Sequence, residues 1–209
     1  MMNFFAVFCR KNSNMFKIIF EKYFEEFEKQ IKDNHFSLEL PKSETPIYTT
    51  DAFSFYTSLA SVYSSKIESE DIDLDSFIKH KFLNVKYKRS YISNTDNLHK
   101  AYVFARKKPL NTENLLKAHA LMTKNFLIKT QQGKVRVVVM QVKDEIGRIL
   151  YVGTDPANVH RELGKLLDFI EYLLSENLSV AQCFYFASVI HLLLLNIHPF
   201  MTETGALHA

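Results

Sequence analysis

The most constraining feature of the sequence is a long uncharged apolar run, from Val180 to Ile197, that ends at His198-Pro199. Its length is close to what a helix needs to cross a bilayer. Polar side chains are costly when they face lipid, and four of them interrupt the run: Gln182, Ser188, His191 and Asn196. We therefore interpret it as a fully buried central helix of a soluble fold, which the proline terminates.

The composition favours one helical, globular domain. The 209 residues are 47% hydrophobic and 23% charged, with only five glycines and five prolines, which favours helices over a turn-rich β architecture. A net charge of +3 is too small to indicate a nucleic-acid surface. Arg10 and Lys11 follow the apolar N-terminal stretch instead of preceding it, so we expect no signal peptide and no membrane partner.

The two cysteines are far apart and lie in different contexts. Cys183 sits in the apolar run, where we expect a buried free thiol. Unpaired cysteines fit a reducing compartment, so the expected location is the cytoplasm. His119 and His191 also lie among apolar residues, and we interpret both as core histidines that are hydrogen-bonded to the backbone.

Hydrophobic periodicity predicts a mainly α fold with one β-hairpin. The hairpin is expected over residues 135–152, where β-branched residues flank the turn-like stretch that ends in Gly147. Thr95 and either Thr112 or Asn111 are candidate N-caps. The predicted helices cover residues 15–32, 53–69, 95–107, 112–124, 156–174 and 178–197.

The residues around the end of the apolar run resemble the motif of the Fic family. The run leads into His198-Pro199-Phe200-Met201, and Fic proteins carry H-P-F-x-[D/E]-G-N-[G/K]-R after a long buried helix. Aligned on His198, Thr202 stands in the place of the motif acid, Glu203 and Thr204 in the place of Gly-Asn, and Ala206 in the place of the arginine. Only Gly205 matches in this loop.

The resemblance extends upstream through the order of elements. The helix "LLKAHALM", the "GKVR" hairpin and the run before His198 look like the corresponding parts of a Fic core. We therefore predict a core over residues 95–209, cut short after the motif, and an N-terminal helical region over 1–94. The hairpin would be the family's flap, with Val137, Val138 and Val139 docking a target segment by strand pairing.

A second match lies in the N-terminal region. "SSKIES", beginning at Ser64, is similar to the inhibitory pattern [S/T]-x-x-x-E-[G/N] of the Fic proteins of class II. Ser64 and Glu68 are four residues apart, hence on one helical face. The resemblance implies that residues 53–69 form an inhibitory helix whose Glu68 reaches the nucleotide site. The arginine that would pair with this glutamate is replaced by Ala209.

The resemblance implies a bacterial protein adenylyltransferase, which transfers AMP from ATP to a Ser, Thr or Tyr hydroxyl of a target protein. His198 would be the general base, Phe200 and Gly205 would belong to the nucleotide site, and Mg²⁺ with ATP would be the cofactors. Thr202 cannot supply the carboxylate that Mg²⁺ prefers, and Ala206 cannot neutralise phosphate. We therefore expect the chain to be inactive with this loop.

Several alternatives stay open. The loop matches a frameshift, because GAC GGA AAC GGG CGC, which encodes Asp-Gly-Asn-Gly-Arg, begins Thr-Glu-Thr-Gly-Ala once its first G is lost; natural degeneration is the other explanation. The transferred group could differ from AMP. A non-enzymatic helical interaction module, in which His-Pro-Phe is merely a helix stop, is the rival function. No metal site is predicted among the residues of the chain, and a homo-oligomer is a further open alternative.

Overall fold

The computed structural model describes residues 22–33, 50–67, 70–144 and 146–201. Within these ranges the chain forms seven helices and one two-stranded antiparallel hairpin, which confirms the predicted fold class. In chain order the elements are α1 (Lys22–Asp33), α2 (Thr50–Ile67), α3 (Leu74–Leu83), α4 (Arg89–Lys107), α5 (Thr112–Met122), β1 (Gln141–Lys143), β2 (Ile149–Val152), α6 (Pro156–Ser175) and α7 (Val180–Ile197).

The chain divides into two compact units. The terminal unit consists of Met1–Lys42 and Arg161–His198, and the central unit consists of Ser43–His160 and Pro199–Ala209. The division into regions 1–94 and 95–209, which follows from the motif, stays a prediction.

Aromatic side chains hold the terminal unit together around Tyr185 of α7. The rings of Phe24 and Phe27 from α1 lie 5.3 and 5.4 Å from the Tyr185 ring. On the neighbouring face Phe186 meets Phe169 of α6 edge to face, at 6.2 Å. Such pairs contribute about 0.5–1.5 kcal/mol beyond their buried area. Ser179 caps α7, and its capping box with Gln182 defines where the helix begins.

Helix α7 is buried on one face only, so the expectation of a fully buried helix is wrong for the described structure. Five residues are buried, namely Tyr185, Phe186, Val189, Leu193 and Ile197, while Phe184, Leu192 and Leu195 are exposed. Because the sequence is apolar on every side, periodicity could not identify the packed face. Among the described helices, α7 is long and apolar enough to cross a membrane, with 28% of its residues buried.

Two further expectations about α7 are also corrected. Cys183 is a free and exposed thiol, and His191 is exposed. Both residues lie on the side of α7 that carries Phe184 and Leu195, away from the buried Tyr185 face. Apolar neighbours in sequence therefore did not imply burial at these two positions.

Small polar residues allow close packing of α2 against α4 in the central unit. Ser58 and Ser61 are buried and donate to carbonyls four residues earlier, and Thr95 Oγ1 donates to Ser65 Oγ at 2.9 Å. Thr95 was predicted to cap its helix, but α4 begins at Arg89, which places Thr95 in the interface. The adjoining apolar core contains Val62, Ile72, Phe77 and Ile92.

The acidic stretch after α2 begins a helix that periodicity did not reveal. Asp73 is the N-cap of α3 and accepts from the Ser76 amide at 2.8 Å. Tyr91 donates to the other Asp73 oxygen at 2.8 Å, and these hydrogen bonds lower the pKa of Asp73 to about 2. The equivalent cap at α5 is Asn111, one of the two predicted candidates, which accepts from Asn114 at 2.8 Å.

Candidate functional site

His198 ends α7 in a left-handed conformation. Its φ and ψ are 47° and 63°, and its amide donates to the Leu194 carbonyl at 2.8 Å, as a residue does at a left-handed helix terminus. A non-glycine residue adopts this conformation at a cost of about 1–2 kcal/mol. Pro199 cannot continue the helix, because it has no amide hydrogen. The predicted base thus sits at a sharply defined break in the chain.

In the central unit, the two residues after His198 are held by separate contacts. The Pro199 carbonyl accepts a hydrogen bond from the Arg136 amide at 2.9 Å. The Phe200 ring stacks on the His119 ring, with centroids 4.1 Å apart and planes 11° from parallel. Pro199 is buried and Phe200 is half-buried. The first turn of the motif is therefore fixed through both its backbone and its side chain.

His119 supports this stack from α5. Its side chain is buried, with 4% exposure, and its Nδ1 accepts from the Gly133 amide at 3.0 Å. Burial lowers the pKa of His119 to about 4, so the ring is neutral at physiological pH. Since Nδ1 accepts a hydrogen bond, the proton lies on Nε2. The expectation that His119 is a core histidine bonded to backbone is confirmed, and its contact with Phe200 gives it a place in the site.

Arg136 closes the base of the hairpin. The residue is 2% exposed, and its guanidinium donates to the Val138 carbonyl at 2.6 Å and to the Thr154 carbonyl at 2.5 Å. Burial lowers the pKa of Arg136, yet a guanidinium stays charged in proteins. Val138 and Thr154 lie before β1 and after β2, so one side chain ties both arms of the hairpin together.

The three valines precede the first strand instead of belonging to it. The ladder joins Gln141 to Val152 and Val142 to Tyr151, and Gly153 extends it by donating to the Met140 carbonyl at 2.9 Å. The hairpin is confirmed, but its first strand is shorter than the predicted arm. Before this strand, the Val138 carbonyl accepts from the Arg136 side chain.

The valine segment is exposed, and within the described part of the chain its amides have no acceptor. Val137, Val138 and Val139 are 83%, 48% and 57% exposed. Their backbone N–H groups donate no hydrogen bond to any residue that the structure describes. An exposed stretch of unpaired backbone donors is the feature that strand addition requires.

Of the two predicted inhibitory residues, the structure describes Ser64, which lies near the end of α2. Ser64 is half-buried, and its hydroxyl lies 3.1 Å from the Tyr102 hydroxyl of α4. Glu68 lies outside the described residues, as does Gly205 of the motif loop. The structure therefore places Ser64, the three valines and Phe200 in the central unit, and His198 at the end of the terminal unit.

Arg136 was not singled out from the sequence. It is the last residue of the "GKVR" stretch that was interpreted as the start of the hairpin. An arginine inside an otherwise apolar β-branched run was a usable signal, because a buried cation needs several acceptors.

No protein-family model and no curated protein matches the chain. Among solved structures, the fold is similar to that of a Fic family protein from Desulfovibrio desulfuricans G20, with a TM-score of 0.54 and 19% sequence identity. The similarity covers 88% of this chain and 53% of the other, so this chain spans about half the length of that protein. The likeness supports a Fic-like fold for the chain.

Proposed function

We propose that the chain is a Fic-type protein related to protein adenylyltransferases, and that with its altered motif loop it does not transfer AMP. The observation that carries this proposal is the anchoring of Pro199 and Phe200. The two residues are held by Arg136, from the flap-like hairpin, and by His119, from the helix before it. Two of the sequence segments that resemble a Fic core, the helix of His119 and the start of the hairpin, therefore contact the motif at Pro199 and Phe200.

In this proposal His198 is the general base for the hydroxyl of a target protein. An imidazole accepts a proton near neutral pH, and general-base action contributes about 10²–10⁴-fold to rate. ATP would be the AMP donor and Mg²⁺ would hold its phosphates. Phe200 would fix the start of the nucleotide loop, and Gly205 would let the backbone approach phosphate.

The altered loop is the reason for the proposed inactivity. Phosphoryl chemistry relies on positioning and on charge stabilisation. Thr202 offers no carboxylate for Mg²⁺ and Ala206 offers no guanidinium for phosphate, while Glu203 adds a negative charge. A base without a bound electrophile has nothing to activate.

The valine segment is the proposed docking site for the target. Its three amides can pair with an extended peptide, and its side chains expose apolar surface. Main-chain hydrogen bonds would supply affinity, and pockets for alternate side chains would supply specificity. The partner in this proposal is a protein that presents an extended segment next to a Ser, Thr or Tyr.

Nucleotide binding tests the proposal directly. We expect calorimetry with Mg-ATP to give no heat of tight binding to the 209-residue chain, and labelled ATP to leave no label on it. The DNA should then be sequenced through codons 202–206. The restored form is the protein read in the other frame, with Asp-Gly-Asn-Gly-Arg at these positions and the residues encoded after them. We expect it to bind Mg-ATP and to label itself.

A matched variant of the restored form, His198→Ala, should bind Mg-ATP but not transfer AMP. Strong, His198-dependent transfer by the unmodified chain would contradict the proposed inactivity. Failure of the restored form to bind Mg-ATP would contradict the Fic-type function itself.

The second candidate is a non-enzymatic interaction module, which the apolar hairpin favours. Ile146, Ile149 and Leu150 are exposed as well as the three valines, and an accumulation of exposed apolar side chains often marks a protein interface. Target binding that is unaffected by His198→Ala and by Mg-ATP in the restored form would favour this function.

Because ATP is the proposed donor of the enzymatic function, we also propose a cytoplasmic location.

A further inference from the structure

His119 takes part in a closed ring of contacts within the central unit. Its ring stacks on Phe200, and its Nδ1 accepts from the Gly133 amide at 3.0 Å. Three residues after Gly133, the Arg136 amide donates to the Pro199 carbonyl at 2.9 Å. Pro199 and Phe200 are consecutive, so this series of contacts closes on His119, where it began. Each contact is therefore geometrically coupled to the others.

Gly133 allows the ring to close. Its φ is +64°, a conformation that favours glycine. A Cβ at this position would lie 2.8 Å from the Leu116 carbonyl oxygen and 2.9 Å from the Ala120 Cβ. The backbone at Gly133 therefore lies directly against α5, beside the turn that carries His119. This approach brings the Gly133 amide within reach of the imidazole.

Few side chains other than a neutral imidazole provide both contacts at position 119. Phenylalanine could stack on Phe200, but it has no acceptor for the Gly133 amide. Asparagine could accept from that amide, because its Oδ1 is as far from the backbone as the Nδ1 of histidine, but it has no ring. Protonated histidine would lose the acceptor as well. The two functions of His119 can therefore be separated by substitution.

We infer that His119 is a positioning residue for the motif, which holds Phe200 by stacking and holds the turn at Gly133 by hydrogen bonding, so that the backbone leaving His198 follows one path. It contacts no reacting group, and it acts through Phe200 and Gly133. This inference rests on the proposed function only in taking His198 as the reacting base. The anchoring itself is a property of the chain as it stands.

The first test uses the unmodified 209-residue chain with ¹⁵N-labelled histidine. Long-range ¹H–¹⁵N correlation spectra distinguish the two neutral tautomers of each imidazole. We expect His119 to carry its proton on Nε2 at pH 7, with its assignment confirmed by loss of the signal in a His119 variant. A proton on Nδ1 would overturn the inference, because the Gly133 amide would then have no acceptor.

The second test compares His119→Asn with His119→Phe. We expect His119→Asn to keep the Gly133 amide resonance near its position while Phe200 loses its ring-current shifts, and His119→Phe to do the reverse. Both variants should shift the His198 resonances. The control is His191→Phe, at an exposed position of α7, which should leave the Phe200 and Gly133 resonances unchanged.

Unchanged Phe200 and His198 resonances in His119→Asn would overturn the positioning role. If neither variant folds, the tautomer of the unmodified chain and the ring-current shifts in Phe200→Leu still decide whether the stack and the hydrogen bond exist. None of these measurements uses a nucleotide. If these measurements verify the contacts of His119 but the restored form binds no Mg-ATP, the proposed function is contradicted and the positioning role of His119 still holds.

Discussion

At the scale of single residues, glycines with positive φ define two turns near the site. Gly133 lies against α5, whereas Gly147 in the hairpin turn has φ +82° and open space around it. Gly164 in α6 has open space and no positive φ. The three positions separate the cost of backbone conformation from the cost of steric overlap.

Alanine substitution at these glycines should have three different effects on stability. Gly133→Ala combines a strained φ with overlap against α5 and should lower the free energy of unfolding by about 2–4 kcal/mol. Gly147→Ala carries only the conformational cost, about 1 kcal/mol. Gly164→Ala should raise it by about 0.5–1 kcal/mol, because alanine favours helix. Urea unfolding measures all three, and equal effects at Gly133 and Gly147 would contradict the close approach.

Two histidines, His119, which is buried, and His99, which is half-buried, predict how stability depends on pH. Burial lowers the pKa of His119 to about 4, and burial together with Lys81 lowers the pKa of His99 to about 4. Between pH 6.5 and 4 the unfolded chain therefore binds more protons than the folded chain. The free energy of unfolding should be highest above about pH 6.5 and should fall as the pH drops towards 4.

The pH prediction is checked by urea titrations at several pH values between 4 and 8. The double variant His99→Asn/His119→Asn is the control and should show a flatter profile in this window. The cap carboxylate of Asp73, with a pKa of about 2, stabilises the fold throughout this window, and its contribution is lost mainly below pH 4, so it does not obscure the result. A profile that is flat from pH 7 to 5 in the unmodified chain would contradict the assignment of imidazoles that stay neutral in the folded protein.

At the scale of elements, the hairpin was predictable from the sequence only in part. The turn was predictable, because Gly147 supplies a positive φ and Asp144 accepts from the Arg148 amide at 2.8 Å. The length of the first strand was not predictable. Val137 to Met140 have the composition of a strand, but β propensity does not reveal that Arg136 uses the Val138 carbonyl.

The docking role predicts the effect of proline in the valine segment. Val139→Pro removes one amide donor that has no acceptor among the described residues, so the free energy of unfolding should change by less than about 1 kcal/mol. In the restored form, capture of the target protein should fall at least tenfold. Val139→Ala keeps the donor and is the control. A folded proline variant with unchanged capture would contradict strand pairing at this segment.

At the scale of the whole molecule, the sequence predicted the helices with clear caps and the hairpin. It missed α3, whose cap Asp73 lies in an acidic stretch that resembled a loop. It also misplaced the start of α4, because Thr95 packs against Ser65 instead of capping. The motif identified His198 from the sequence, but the residues that hold Pro199 and Phe200 come from distant segments. Contacts of this kind depend on tertiary packing, which local patterns do not encode.

The predicted brake belongs to the same scale, since it would link the N-terminal region to the motif loop. In the restored form, Glu68→Gly should increase self-labelling with ATP about tenfold or more, because a carboxylate opposes triphosphate in a confined site. Glu70→Gly is the control, since Glu70 accepts from Asn94 at 2.6 Å. If Glu68→Gly does not raise labelling while Mg-ATP still binds, the inhibitory assignment is wrong.

The left-handed backbone at His198 has an evolutionary consequence. Glycine fits φ 47° without steric conflict, so glycine at position 198 would relieve the strain of about 1–2 kcal/mol that the histidine backbone carries. A lineage that no longer needs the imidazole would therefore drift towards glycine or asparagine at this position, because selection for stability alone favours them. Histidine at this position therefore carries a conformational cost that its side chain, and not the backbone, must justify.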